Sequence, residues 1–181
     1  MTATETKLKG CFVIEPTLFN DSRGYFFEVF NKDKFNKLIG KTIDFVQDNE
    51  SFSLKGTLRG LHFQLEDYAQ AKLVRVIQGR VLDVVVDIRK DSPTYAEHSS
   101  IELSEDNKTQ LFIPRGFAHG FIVLSETAIF SYKCDNYYHQ ASERGIRHDD
   151  PFLGVDWKLP KESRIISEKD LVLPTLSNIE L

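Results

Sequence analysis

Short β-rich runs, separated by turn residues, constrain this chain more than any other feature. They are CFVIEP (11–16), GYFFEVF (24–30), DFVQDNESFS (44–53), TLRGLHFQ (57–64), KLVRVIQG (72–79), RVLDVVVDIR (80–89), SSIELS (99–104), QLFIPRG (110–116), HGFIVLSE (119–126) and AIFSYKC (128–134). NDSRG (20–24), LEDYAQ (65–70), KDSPT (90–94) and SEDNKT (104–109) punctuate them. This spacing specifies an all-β sandwich or barrel rather than βαβ units. Helical patterning is scarce. NKDKFNKLIG (31–40) predicts one short helix, with Asn31 as cap and Gly40 as stop, and SEKDL (167–171) begins another. No repeat, low-complexity tract or linker divides the 181 residues, so one domain over 1–181 is expected. The less strand-like segment 149–181 is expected to wrap the β core.

Composition narrows the function classes. Hydrophobic residues make up 41% and charged residues 28%, enough for a full core in a chain of this length. The net charge of -4 argues against a nucleic-acid-binding surface, while a local cluster of arginine and lysine can still hold a small anion. Cys11 and Cys134 belong to no CxxC pair and are expected to be buried thiols. The N-terminal MTATETKLKG lacks an apolar signal core, and no apolar run approaches membrane-spanning length. The expectation is a cytoplasmic protein without a membrane partner.

Several familiar chemistries fail at their defining positions. GKT at 40–42 would need a glycine at position 35 to close a phosphate-binding loop, and Phe35 stands there. No GxGxxG exists for a nicotinamide cofactor. Ser125 in FIVLSE lacks a GxSxG elbow.

Two segments remain, GLHFQ (60–64) and PRGFAHGF (114–121). The second contains PxGxxH at Pro114, Gly116 and His119, which resembles the second motif of the cupin superfamily of small β-barrels. Metal-binding cupins supply an HxH pair and a glutamate from their first motif. Here Gln64 stands two after His62, and Lys72 follows. A protonated lysine offers no lone pair, so the ligand set is short and no metal is expected. His62 then suits general-base work, given an orienting carboxylate. Asp170 is a candidate if the tail folds back over the barrel. Lys72 alternates in phase with Val74 and Val76, so it is either a surface lysine at a strand start or a charge aimed into a pocket. Tyr132 shares a face with Ala128, Phe130 and Cys134, which by pattern alone favours a core tyrosine. Arg59 and His62 differ in strand parity. For both to meet one ligand the strand must bend, and Gly60 allows a bulge; the alternative is that Arg59 serves the pocket rim.

Taken in order, CFVIEP, DSRGYFFEVFN, FVQDNESFS, GTLRGLHFQ, QAKLVRVIQGRVLDVVVDIRKDSPTY, IPRGFAHGF, YKCDNYY, ERGI, DDPFLGVDW and ISEKD closely resemble one family across almost the whole chain, the dTDP-4-dehydrorhamnose 3,5-epimerases. The resemblance implies a cupin-type jelly-roll β-barrel with a few short helices, a homodimer with strand exchange, and no metal or cofactor. It also implies a substrate, a dTDP-4-keto-6-deoxy sugar, whose ketone acidifies the protons on carbons 3 and 5. By the family pattern His62 is the base, paired with Asp170, and Tyr132 is the acid. Lys72 stabilises the enolate, and His119 lines the same pocket. The same pattern assigns nucleotide-sugar contacts to Arg23, Glu28, Gln47, Asn49, Arg59, Glu143 and Lys169, with Tyr138 as a thymine platform. It implies that the strand carrying Arg23 and Glu28 crosses into a partner's site. Arg147 and His148 depart from the family pattern in ERGIRHDDP, where an alteration of the pocket rim is expected.

Overall fold

Alternation along the strands builds two facing sheets. The computed structural model describes residues 1–179. Its strands are β1 (Thr2–Glu5), β2 (Phe12–Glu15), β3 (Phe19–Asp21), β4 (Gly24–Phe26), β5 (Gln47–Leu54), β6 (Thr57–Gln64), β7 (Lys72–Gln78), β8 (Arg80–Asp87), β9 (His98–Ser104), β10 (Gln110–Ile113), β11 (Phe117–Val123), β12 (Thr127–Cys134), β13 (Glu143–Gly145) and β14 (Ile165–Ile166). One sheet runs β1-β2-β10-β7-β12-β5, and the other runs β13-β6-β11-β8-β9 with β14 added in parallel to β6. Together they form the cupin-type jelly roll. The β3–β4 hairpin stands apart as its own two-stranded sheet.

Strand β8 shows how the layers are filled. Val81 and Val85 face the barrel interior, where they meet Val74, Leu103, Phe121 and Phe130. Leu82, Val84 and Val86 point the other way, under Ile146, Leu153, Trp157 and Leu176 of the C-terminal segment. Segment 149–179 therefore wraps the barrel as expected and makes β8 a strand buried on both faces. Each such aliphatic side chain contributes about 1.5–3 kcal/mol on burial.

The first helix, α1 (Lys32–Ile39), obeys its sequence signals. Asn31 Oδ1 accepts the Lys34 N–H, and Gly40 ends the helix in the left-handed region at φ 66°. It packs Phe35 and Ile39 against Ile14, Leu73 and Phe112. The second, α2 (Glu168–Leu171), is a single turn capped by Ser167. Two departures from the sequence pattern stand out. GYFFEVF is extended only over β4, and polar TATE near the N-terminus forms β1 by pairing with β2. Cys11 and Cys134 are buried free thiols, and burial pushes them up to about 12 and about 11. Among the described residues no helix is long and apolar enough to cross a membrane.

Candidate active site

A bulge in β6 makes the site. On β11, His119 lies opposite His62 and Phe121 lies opposite Arg59, so β6 carries one residue more than its partner over this interval. Gly60 sits inside that interval at φ 113°, and a Cβ there would stand 2.6 Å from Gly120 Cα and from the His119 carbonyl oxygen. Only glycine fits. The bulge resolves the parity conflict, because Arg59 and His62 line one cleft of about 590 Å³ together with Lys72, His119, Tyr132 and Asp170. A second lobe of about 240 Å³ shares His62, Lys72 and Tyr132 with it and adds Gln47, Asn49, Tyr138 and Glu143. Both lobes are thus parts of one groove.

His62 comes from one sheet and Tyr132 from the other, so the two face the cleft from opposite walls. His62 Nε2 lies 2.7 Å from Asp170 Oδ1. The second oxygen, Oδ2, accepts the Gly60 N–H at 3.2 Å, so the bulge and the tail carboxylate are tied together. Burial pushes the Asp170 carboxyl up. The hydrogen bond and charge of His62, the Gly60 N–H and Lys169 more than offset this and hold it below its ordinary value.

Lys72 does point into the cleft, with Nζ 5.9 Å from the Tyr132 ring centroid. Its ammonium makes no ion pair among the described residues. Burial lowers its pKa, against the opposing fields of Cys134, Asp83 and Glu143. Burial raises Tyr132, with Cys134 and Glu143 adding to the shift and Arg59 opposing it. Tyr132 therefore keeps its proton, and it lines the cleft rather than sitting wholly in the core.

Gln47 and Asn49 alternate along β5 as expected and touch each other, with Gln47 Nε2 donating to Asn49 Oδ1 at 3.1 Å. Gln47 Oε1 accepts the Tyr138 N–H. The Tyr138 hydroxyl donates to Glu143 Oε2 at 2.9 Å, and Lys169 Nζ donates to the same oxygen at 2.5 Å. Burial pushes Glu143 up, but these two bonds outweigh it and leave its carboxyl low. Three segments distant in sequence therefore meet at the mouth of the smaller lobe.

Sequence reasoning missed three neighbours of these groups. Asp83, fully buried on β8, places Oδ2 2.9 Å from His119 Nε2 while its Oδ1 has no partner among the described residues. The signal was the single acid between valines in VLDVVV. Ser53 accepts from Arg59 Nε at 3.2 Å, and the Ser51 hydroxyl is buried in the cleft wall without a partner among the described residues. Both continue the 47, 49 phase of β5.

The remaining expected residues stand elsewhere in this chain. Arg23 is exposed on the β3–β4 turn and pairs with Asp21 at 2.6 Å. Glu28 pairs with Lys34 at 2.8 Å and accepts from Asn31. Neither lines the chain's own cleft. Arg147 and His148 do not form its rim either. Arg147 pairs with Asp149 at 2.7 Å, and the buried His148 offers its carbonyl to Trp157 Nε1.

Comparison with known proteins identifies the family. The family model described as dTDP-4-dehydrorhamnose 3,5-epimerase matches residues 5–178. An enzyme of that name from Methanothermobacter thermautotrophicus is 52% identical over 167 residues, covering 92% of this chain and 89% of the relative. The crystal structure of the Elizabethkingia anophelis epimerase superposes with a TM-score of 0.95 at 52% identity, covering 98% of this chain and 97% of that one. A Legionella pneumophila 3,5-epimerase, solved in complex with dTDP-4-keto-L-rhamnose, gives 0.95 at 46% identity over 99% and 94% of the two chains. With a paired histidine, a tyrosine and a lysine converging in a jelly-roll cleft, and with this likeness spanning nearly every residue, the chain belongs to the dTDP-4-dehydrorhamnose 3,5-epimerase family of enzymes.

Proposed function

We propose that this chain epimerises dTDP-4-dehydro-6-deoxy-D-glucose at carbons 3 and 5 to give dTDP-4-dehydro-L-rhamnose, in dTDP-L-rhamnose biosynthesis, with no cofactor. The observation that carries the mechanism is the placement of the His62–Asp170 pair and Tyr132 on opposite walls of one cleft.

The 4-ketone acidifies its neighbouring C–H bonds. His62 takes one of those protons, and Asp170 stabilises the imidazolium that forms. The electron pair moves onto the ketone oxygen, where the Lys72 ammonium meets the developing charge. Tyr132 then returns a proton from the other face, and the centre inverts. The ketone re-forms, the His62 imidazolium releases its proton to solvent and the Tyr132 phenolate regains one, and the same groups then serve the second carbon after the sugar turns. His119 holds a sugar oxygen. Arg59, its Nε engaged by Ser53, presents the rest of its fork to the diphosphate. Gln47, Asn49, Glu143 and Lys169 address the nucleoside, with Tyr138 beneath the base.

The same reading includes a homodimer. The β3–β4 hairpin exposes Phe19 at 61% and Phe26 at 69%, large apolar surfaces for a projecting ribbon. Crossing to a second copy would cover them and deliver Arg23 and Glu28 to the partner's cleft.

Hydrogen exchange at carbon tests the mechanism. His62→Ala is expected to abolish solvent exchange at both carbons, while Tyr132→Phe slows turnover but retains partial exchange. Undiminished exchange in His62→Ala removes the assignment of the base.

A further inference from the structure

The tail that supplies Asp170 has little structure of its own. Before α2 it is held by the two-residue β14, which pairs with Thr57 and Leu58. α2 is one turn, too short to persist alone. Among the described residues no strand pairing follows α2, and two hydrogen bonds fasten this stretch to the rest of the chain: Arg147 N–H to the Pro174 carbonyl at 2.8 Å, and Leu176 N–H to Asp150 Oδ2 at 2.6 Å.

Asp150 is built for that contact. It is 3% exposed. Its Oδ1 accepts the N–H groups of Phe152 at 2.8 Å and Leu153 at 3.3 Å, which fixes the carboxylate plane and leaves Oδ2 aimed at the tail. Beside it, Leu173 lies so close to Gly145 that a Cβ on that glycine would stand 2.7 Å from Leu173 Cδ1. Gly145 itself is the register partner of His62 on β6. The anchor therefore grips the tail on the strand adjoining the base.

We infer that Asp150 is a positioning residue for the reaction: by clamping Leu176, together with the Gly145–Leu173 contact, it sets the reach of the tail so that the Asp170 carboxylate meets His62. This rests on the proposed roles of His62 and Asp170. It assigns a function to DDPF (149–152), a motif with no residue in the cleft. Asp150 touches neither His62 nor the substrate cleft, so it acts on the reaction only indirectly.

The test uses Asp150→Asn, which keeps the shape and the Oδ1 contacts but turns a donor toward the Leu176 N–H. Leu173→Ala loosens the same anchor at a half-buried side chain and spares the core. Two readouts are compared: carbon-bound hydrogen exchange at saturating substrate, and the far-downfield ring N–H resonances of the His–Asp pairs. The His62 resonance is assigned by its loss in His62→Ala. The His119–Asp83 resonance reports on the barrel independently. Expected is an exchange rate slower by on the order of 10- to 100-fold in Asp150→Asn, with a smaller loss in Leu173→Ala. The His62 resonance should broaden or vanish while the His119 resonance persists. Wild-type rate and both resonances in the two variants overturn the inference. So does a slower rate with the His62 resonance intact, since Asp150 would then act by another route. If Asp150→Asn fails to fold, Leu173→Ala decides by the same criteria. Exchange retained in His62→Ala defeats the underlying mechanism. Exchange lost there but untouched in both anchor variants defeats this inference alone.

Discussion

Two histidine–aspartate pairs face one cleft, and they are built in opposite ways. His62 and His119 are direct cross-strand neighbours on β6 and β11. His119 takes its carboxylate from Asp83, in the middle of a barrel strand and fully buried. His62 takes its carboxylate from Asp170, 108 residues away on a one-turn helix of the tail, and its own side chain is 26% exposed. The sheet thus fixes one pair rigidly, while the other is assembled late from a separate element. A base must cycle its proton and reach substrate. A pocket wall needs only to stay in place. In the proposed mechanism the tail-completed pair serves turnover, and the barrel pair fixes the cleft wall from which His119 meets the sugar.

The sharpest way to break this comparison is to neutralise each carboxylate in turn. Asp170→Asn should slow carbon exchange by about 10²–10⁴-fold, because the imidazolium loses its counter-charge. Asp83→Asn should slow it by less than about tenfold, since the amide oxygen still accepts from His119. Equal losses would erase the distinction.

Lys72 offers the next largest effect. In the proposed mechanism its charged form stabilises the enolate, and burial lowers its pKa. Activity should therefore fall with rising pH before the ordinary lysine range is reached. Tyr132, shifted upward, retains its proton through that fall. Lys72→Met should lower the rate by about 10²-fold and remove that alkaline limb from the pH–rate profile. A limb that survives in the variant would belong to another group.

The smallest effect is on stability. Asp83 leaves one oxygen buried without a partner, a costly state for a carboxylate. Asp83→Asn should leave the thermal midpoint within about 3 °C of the parent, or raise it. A large drop would mean that this pair holds the barrel together.

Much of this was legible in the sequence, for reasons that differ by residue. Most β runs and the caps of α1 are local signals that the structure bears out, whereas GYFFEVF is extended only over β4. Gly60 announced the bulge because parity alone could not bring Arg59 and His62 together. The contact of Asp170 with His62 depends on the tail's path over the barrel, which no local pattern encodes, and the family resemblance supplied it as an expectation. Asp83 was overlooked because β8 is buried on both faces, which hides from periodicity which face is the interior. Ser51 and Ser53 carry no signal beyond polar alternation along β5, and the contact of Arg59 with Ser53 crosses between the two sheets. Arg147 and His148 stand out as departures, yet Arg147 pairs with Asp149 and the His148 carbonyl accepts from Trp157, and neither residue lines the cleft.

The most direct test of the central claim is to incubate the protein with dTDP-4-keto-6-deoxyglucose in deuterated water and locate deuterium in the sugar by mass spectrometry. The account predicts two deuterons, one at carbon 3 and one at carbon 5. A single deuteron would contradict the double epimerisation and leave a single-centre epimerase. None, with substrate shown to bind, would contradict catalysis altogether.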